Sequence, residues 1–186
     1  PGHGRRRGYT GAMKPDIPAA LLYHGARLLT RLPRPLLRGL AAAIAWLWWT
    51  LDRRESRVAR RNLELAYPRL APPERRALQH ASLRTAAWQA LETLRFWTTP
   101  PARNLRHIRE THGVALFDAA RAAGRPLLIA APHYGNWELL NQWLASRGPY
   151  AFVYRVPGSP VGDAFLLRAR GIANVTQVPA EGAAVR

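Results

Sequence analysis

Pro100-Pro101 divides the chain into two patterns of hydrophobicity. Ahead of that pair, apolar residues recur at the three- and four-residue spacing of helices, and behind it short apolar runs alternate with helical stretches. The first part predicts a helix over Ile17–Leu32, carrying Leu21, Leu22, Leu28, Leu29 and Leu32 and ended by Pro33 and Pro35. A second helix follows over Leu36–Leu51 and a third over Glu55–Ala66, stopped at Tyr67-Pro68. A fourth opens on Pro72-Pro73-Glu74, where proline and a carboxylate suit a first turn, and runs to about Trp97. The second part predicts strands over Leu105–Glu110, Pro126–Ala131, Tyr150–Val156 and Asn174–Val178. Helices over Gly113–Ala123, Trp137–Ser146 and Ser159–Ala169 alternate with them. Such alternation implies the fold class α/β, with crossover connections in the C-terminal part.

The expected organisation has three parts. Residues 1–16 read as a disordered N-terminal extension, Gly- and Arg-rich, with Met13 as the biological start. Residues 17–99 form a helical, membrane-associated region, and residues 100–186 an incomplete α/β domain. The membrane expectation rests on Leu36–Leu51, an apolar stretch interrupted by Arg38 and flanked by arginines on both sides. It falls short of the ~20 residues that a spanning helix needs. Three readings stay open: a short tilted anchor, a helix lying at the interface with Trp46, Trp48 and Trp49 at headgroup level, or a buried core helix.

Charge narrows the partners. The chain has 28 basic and 11 acidic residues for a net charge of +17, and Lys14 is its lone lysine. Anionic partners follow, whether nucleic acid, membrane surface or acidic protein. No helix-turn-helix, zinc-finger spacing or aromatic β-surface accompanies the arginines, so no nucleic-acid partner is expected. The absence of cysteine excludes thiolate nucleophiles and Cys-based metal sites. No metal is expected, because HExxH spacing is missing and no third ligand is near.

One junction carries chemistry. In Ala131-Pro132-His133-Tyr134-Gly135-Asn136-Trp137-Glu138 a histidine follows an expected strand, and a carboxylate comes five residues later at the start of a helix. Ligands of α/β folds collect at the carboxyl ends of strands. A carboxylate that accepts from one imidazole nitrogen fixes the tautomer and stabilises the imidazolium formed when the other takes a proton. With no Gly-x-Ser-x-Gly elbow and no cysteine, the pair suits activation of a substrate hydroxyl for group transfer. The same spacing also arises in purely structural His–Glu pairs.

The run APHYGNWELL, with RRNLELAYPRL, ERRAL and LETLRFW upstream and VYRVPGSPVGDAFLLRARG downstream, resembles the bacterial lauroyl/myristoyl acyltransferases of lipid A biosynthesis. Their wider superfamily resembles lysophospholipid acyltransferases, with a His, four residues, then Asp or Glu as its hallmark. The likeness covers about Leu21 to Arg186. It implies transfer of a fatty acyl group from acyl carrier protein to a hydroxyl of a Kdo-bearing lipid A precursor. The setting it implies is the bacterial inner membrane, with the active site on the cytoplasmic side and no cofactor. On this resemblance His133 is the general base and Glu138 orients it. Arg170, with Arg168 beside it, matches the family arginine that binds substrate or stabilises the oxyanion, and Asn136 with Gly135 lets backbone approach the thioester. Family members continue past this chain's last residue, so the chain is expected to be C-terminally truncated. Two alternatives remain: an acyltransferase of the same superfamily acting on another glycolipid or phospholipid with acyl-CoA, and an inactive remnant.

Overall fold

The computed structural model describes residues 16–124, 126–132 and 134–180. The expected extension over residues 1–16 lies almost wholly outside them. Eight α-helices and two strands occur among the described residues. They are α1 (Asp16–Leu29), α2 (Arg34–Thr50), α3 (Arg54–Ala66), α4 (Pro72–Thr98), α5 (Pro101–Asn104), α6 (Val114–Ala122), α7 (Trp137–Arg147), β1 (Tyr150–Tyr154), α8 (Pro160–Ala169) and β2 (Val175–Pro179). A 3₁₀ turn over Leu105–His107 extends α5. The molecule is mostly helical.

Packing explains the N-terminal helices. Ala41 and Ala45 of α2 face Leu83, Ala87 and Leu91 of α4, and all five are buried in one cluster. Their spacing of four keeps each set on a single helix face, and the alanines let the two backbones approach closely. Leu29, Trp48, Trp49 and Trp88 close the cluster's margin. Two of the three tryptophans expected at a lipid boundary are thereby drawn into the core margin. Trp46 alone turns outward, 58 % exposed, next to the exposed Leu47 and Leu51. No described helix is long and apolar enough to cross a membrane.

Side chains fasten the helices at defined points. Gln79 Nε2 of α4 donates to the Ser56 backbone oxygen of α3 at 2.9 Å and to its hydroxyl at 3.1 Å, and both residues are buried. At the start of α4 the Ala71 N–H donates back to Glu74 Oε2 at 3.3 Å, so the N3 carboxylate satisfies a group that the helix leaves without a partner.

Among the described residues the α/β character is confined to one βαβ unit. Strands β1 and β2 pair in parallel, from Tyr150 opposite Val175 to Tyr154 opposite Pro179, with α8 as the crossover. Two expected strands are absent. Residues 105–110 alternate in polarity, yet the Asn104 side chain is drawn to the end of α4 and its backbone is held helical, so the chain continues as a 3₁₀ turn with Ile108 N–H on the Leu105 oxygen. The run Pro126–Ala131, expected to be a buried strand, has no ladder partner among the described residues. Leu128 is 96 % exposed, and a cavity of about 800 Å³ lies between this run and β1. A continuous apolar strand is stable only with cover on both faces, and every residue of this run is left exposed.

The α2–α4 seam gives a direct test. Ala45→Leu, at a position with no exposed surface, is expected to destabilise by about 1–3 kcal/mol through overpacking. The exposed Ala43→Leu on the same helix is expected to stay within about 0.5 kcal/mol. Urea unfolding of the two variants checks the difference.

Candidate functional site

The site is assembled around the C-terminal end of α4. A helix leaves its last four carbonyls without internal partners, and buried ones need donors from elsewhere. The Phe96 oxygen takes two: Asn104 Nδ2 at 2.9 Å and Gln142 Nε2 at 3.1 Å. Asn104 Nδ2 also lies 2.8 Å from Gln142 Oε1, so α5 and α7 are joined to each other as well as to α4. The Trp97 oxygen accepts from the Tyr23 hydroxyl of α1 at 3.3 Å, and the Thr30 and Thr98 hydroxyls meet at 2.8 Å.

Gln142 lies one turn beyond Glu138 on α7, so the contact that docks Gln142 turns Glu138 inward as well. Entry to α7 is set by Gly135, whose φ of +66° is left-handed, and by Asn136, whose Oδ1 accepts from the Leu139 N–H at 3.0 Å. Glu138 therefore sits in the first turn, where the helix dipole favours a carboxylate.

The Glu138 side chain is 4 % exposed and that of Arg170 is 11 % exposed. Oε1 of Glu138 accepts from Arg170 Nε at 2.9 Å and from Nη2 at 2.6 Å. Both bonds converge on one oxygen. Oε2 has only a long contact from Asn141 Nδ2 at 3.4 Å. Around the guanidinium stand three aromatic rings, with Trp137 at 4.8 Å, Trp97 at 5.2 Å and Phe152 at 5.6 Å from its central carbon. Their faces supply the attraction that water would otherwise give a cation. Arg170 caps α8, and Gly171 after it is required by space: a Cβ there would come within 2.8 Å of the Leu167 carbonyl oxygen.

Tyr150 completes the cavity. Its hydroxyl is buried with no hydrogen-bond partner among the described residues, and it lines the same small cavity as Glu138, Arg170 and Trp97. Burial and then the Glu138 charge push its pKa up to about 12, with Arg170 opposing.

The structure brings together Glu138 and Arg170 from the residues expected in sequence. His133 lies outside the described residues. Asn136 is at the entrance to α7, where its side chain is committed to the helix cap. Arg168 points elsewhere: its guanidinium lies 5.5 Å over the Tyr23 ring, fastening α8 to α1. Sequence reasoning missed Trp97, Trp137, Phe152 and Tyr150. The available signal was the alternation Tyr150-Phe152-Tyr154, which puts aromatic residues on one face of β1 without revealing what that face meets. No group of acidic or histidine residues that could hold a metal occurs among the described residues.

Comparison with known proteins agrees over most of the chain. The sequence model of the family described as bacterial lipid A biosynthesis acyltransferase matches residues 16–183. The lipid A biosynthesis lauroyltransferase of Escherichia coli (strain K12) is 26 % identical over 136 residues, which is 73 % of this chain and 44 % of that protein. A lipid A biosynthesis acyltransferase of Haemophilus influenzae is 27 % identical over 139 residues, 74 % of this chain and 44 % of that one. The E. coli lipid A biosynthesis palmitoleoyltransferase is 26 % identical over 128 residues, 69 % of this chain and 42 % of that one. The chain spans less than half the length of these relatives.

Two outcomes follow from the geometry. Arg170→Ala leaves a buried carboxylate without its cation and is expected to cost about 3–5 kcal/mol, whereas replacing both partners by leucine costs clearly less; denaturant unfolding of the two variants separates them. Tyr150 is expected to ionise near pH 12. Between pH 10 and that value the folded state keeps a proton that the unfolded state has lost, so stability falls as pH rises through this window. Tyr150→Phe removes that part of the fall, read by unfolding at several pH values and by the ultraviolet absorbance of tyrosinate.

Proposed function

The chain belongs to the bacterial lipid A biosynthesis acyltransferase family, and from that premise we propose that it contributes the His–Glu half of an O-acyltransfer site. The proposed reaction moves a fatty acyl group from the thioester of acyl carrier protein to a hydroxyl of a Kdo-bearing lipid A precursor. The observation that supports it best is the state of Glu138: a buried carboxylate held on Oε1 by Arg170, with Oε2 nearly unused. Such a group is oriented by its partner and still able to accept an imidazole N–H.

In the proposed mechanism His133 takes the proton of the acceptor hydroxyl as its oxygen attacks the thioester carbonyl. Glu138 stabilises the imidazolium that results. The tetrahedral intermediate then collapses, its carbon–sulfur bond breaks, and the thiolate leaves with the proton returned by His133. An ester and a free thiol are the products. The ledger needs no cofactor. Arg170 acts through Glu138 as a positioning residue, because its guanidinium is engaged by the carboxylate and enclosed by three rings. The resemblance implies substrate binding or oxyanion stabilisation for Arg170, and its pairing with Glu138 supports positioning as its part in this mechanism. Arg168 and Asn136 serve the scaffold.

The net charge of +17 suits both proposed substrates, since an acidic carrier and a phosphorylated glycolipid are drawn to a cationic surface. We place the enzyme at the inner membrane, with its helical N-terminal region resting on the cytoplasmic face. Trp46, Leu47 and Leu51 form an exposed apolar end of α2 beside the arginines of α3, an arrangement that suits a lipid interface.

The test uses the full-length gene product with lauroyl-carrier protein and a radiolabelled acceptor. His133→Ala is expected to lower kcat by about 10²- to 10⁴-fold, the range of general-base catalysis. Glu138→Gln is expected to lower it also, with little change in KM for either substrate. A His133→Ala enzyme that turns over near the wild-type rate overturns the assignment.

A further inference from the structure

A second cavity, of about 420 Å³, is walled by α1, the start of α2, the later half of α4 and the α5 turn. Arg27, Arg31, Arg34, Arg95, Arg103 and His107 line it, and Glu92 is the lone carboxylate among its walls. None of these five arginine side chains forms an ion pair with the described residues. The floor is apolar, built by the buried Leu37, Leu91 and Phe96. This cavity shares no residue with the one that holds Glu138.

Arg27, Arg31, Arg34 and Arg103 are exposed where an anion can reach them, and like charges gathered around one hollow feel mutual repulsion. A multiply charged anion relieves it. Guanidinium groups present paired N–H donors that match phosphate oxygens, and Arg34 adds the positive end of the α2 dipole at the cavity mouth.

Leucines that follow the lining arginines in sequence, themselves outside the cavity wall, supply a second, independent observation. Leu28, Leu32 and Leu36 are 69 %, 38 % and 58 % exposed, and they alternate along the chain with Arg27, Arg31 and Arg34. Ile17 and Leu21, also exposed, recur with Leu28 on one face of α1. A soluble phosphate would account for the arginines and leave this apolar border unexplained. A lipid accounts for both, because its phosphate meets the guanidiniums while the leucines enter the acyl boundary.

We propose that the cavity between α1, α2 and α4 binds the phosphate group of a lipid headgroup, with the leucines of α1 and of the α1–α2 turn seated in the adjoining acyl layer. The site stands on these helices alone and does not depend on the acyl-transfer reading. Phosphate is the shared chemistry, and the lipid is the source.

The test is equilibrium binding of the full chain to phosphatidylcholine vesicles with and without phosphatidic acid, in the absence of any acyl donor. Arg31→Ala/Arg34→Ala removes two charges from the cavity, and Arg69→Ala/Arg155→Ala removes two from loops outside it. Circular dichroism checks that each variant is folded. Wild type is expected to bind vesicles in proportion to phosphatidic acid. The cavity pair is expected to bind about 25-fold more weakly, at about fivefold per arginine near an anionic surface, while the loop pair stays within about threefold of wild type. Inorganic phosphate at the same total concentration as the lipid phosphate is expected not to displace the protein. Equal losses in the two double variants, binding that ignores phosphatidic acid, or full displacement by inorganic phosphate would each overturn the proposal. Acyl transfer is not read, so failure of the transfer mechanism leaves this result standing.

Discussion

The buried C-terminal end of one long helix organises this molecule. Helix α4 stops at Thr98 beneath three other elements, and its terminal carbonyls cannot all reach water. The cost of burying an unpaired carbonyl, about 1–3 kcal/mol, is avoided by drawing in Tyr23, Asn104 and Gln142 from α1, α5 and α7. Three segments far apart in sequence are thereby fixed around a single point. Polar groups that accept only directional bonds set register here more tightly than apolar contact could.

The Glu138–Arg170 pair depends on that fixing. Burying two charges costs several kcal/mol each unless geometry and further contacts compensate. Gln142 holds α7 so that Glu138 faces inward, and the crossover helix α8 delivers Arg170 to the same place from the other side. The aromatic rings then replace solvent around the guanidinium. An ion pair this enclosed is poor value as a source of stability, since two leucines would fill the space at less cost. A carboxylate held immobile and partly unused is valuable to proton-transfer chemistry.

Local structure was legible in the sequence where hydrophobic period, proline and glycine agreed. The prolines at 68, 72 and 73 mark helix ends within a residue or two of those observed, whereas Pro33 and Pro35, expected to end the first helix at Leu32, instead open α2, and α1 stops at Leu29; Gly148 and Gly171 close α7 and α8. Two strands were misread for separate reasons. Residues 105–110 have strand-like alternation, but the side chain just before them is committed to capping α4. Residues 126–131 have the composition of a buried strand, and strand form depends on neighbours that composition does not specify. The site was half legible. Glu138 follows from its place in a His-to-Glu spacing at a helix start, and Arg170 from a resemblance; their union spans 32 positions and no local signal carries it. The aromatic enclosure is likewise a product of tertiary packing.

The excess of arginine becomes informative once its members are sorted by surroundings. With 28 basic residues against 11 acidic ones, most cations must live without a carboxylate. Several are placed over rings instead: Arg38 over Trp88, Arg121 over Phe117, Arg147 over Trp143 and Arg168 over Tyr23, where an exposed contact contributes about 0.5–1 kcal/mol. These are ways of accommodating charge at a surface. Arg170 differs because it is enclosed as well as paired, and the cluster at Arg27, Arg31 and Arg34 differs because it is concentrated around a hollow with neither ring nor carboxylate at hand to each member. A biased composition can supply arginines everywhere. It does not choose which one is buried against a carboxylate, nor which ones converge, and those choices single out the Glu138–Arg170 pair and the arginine-lined hollow from the rest of the charged surface.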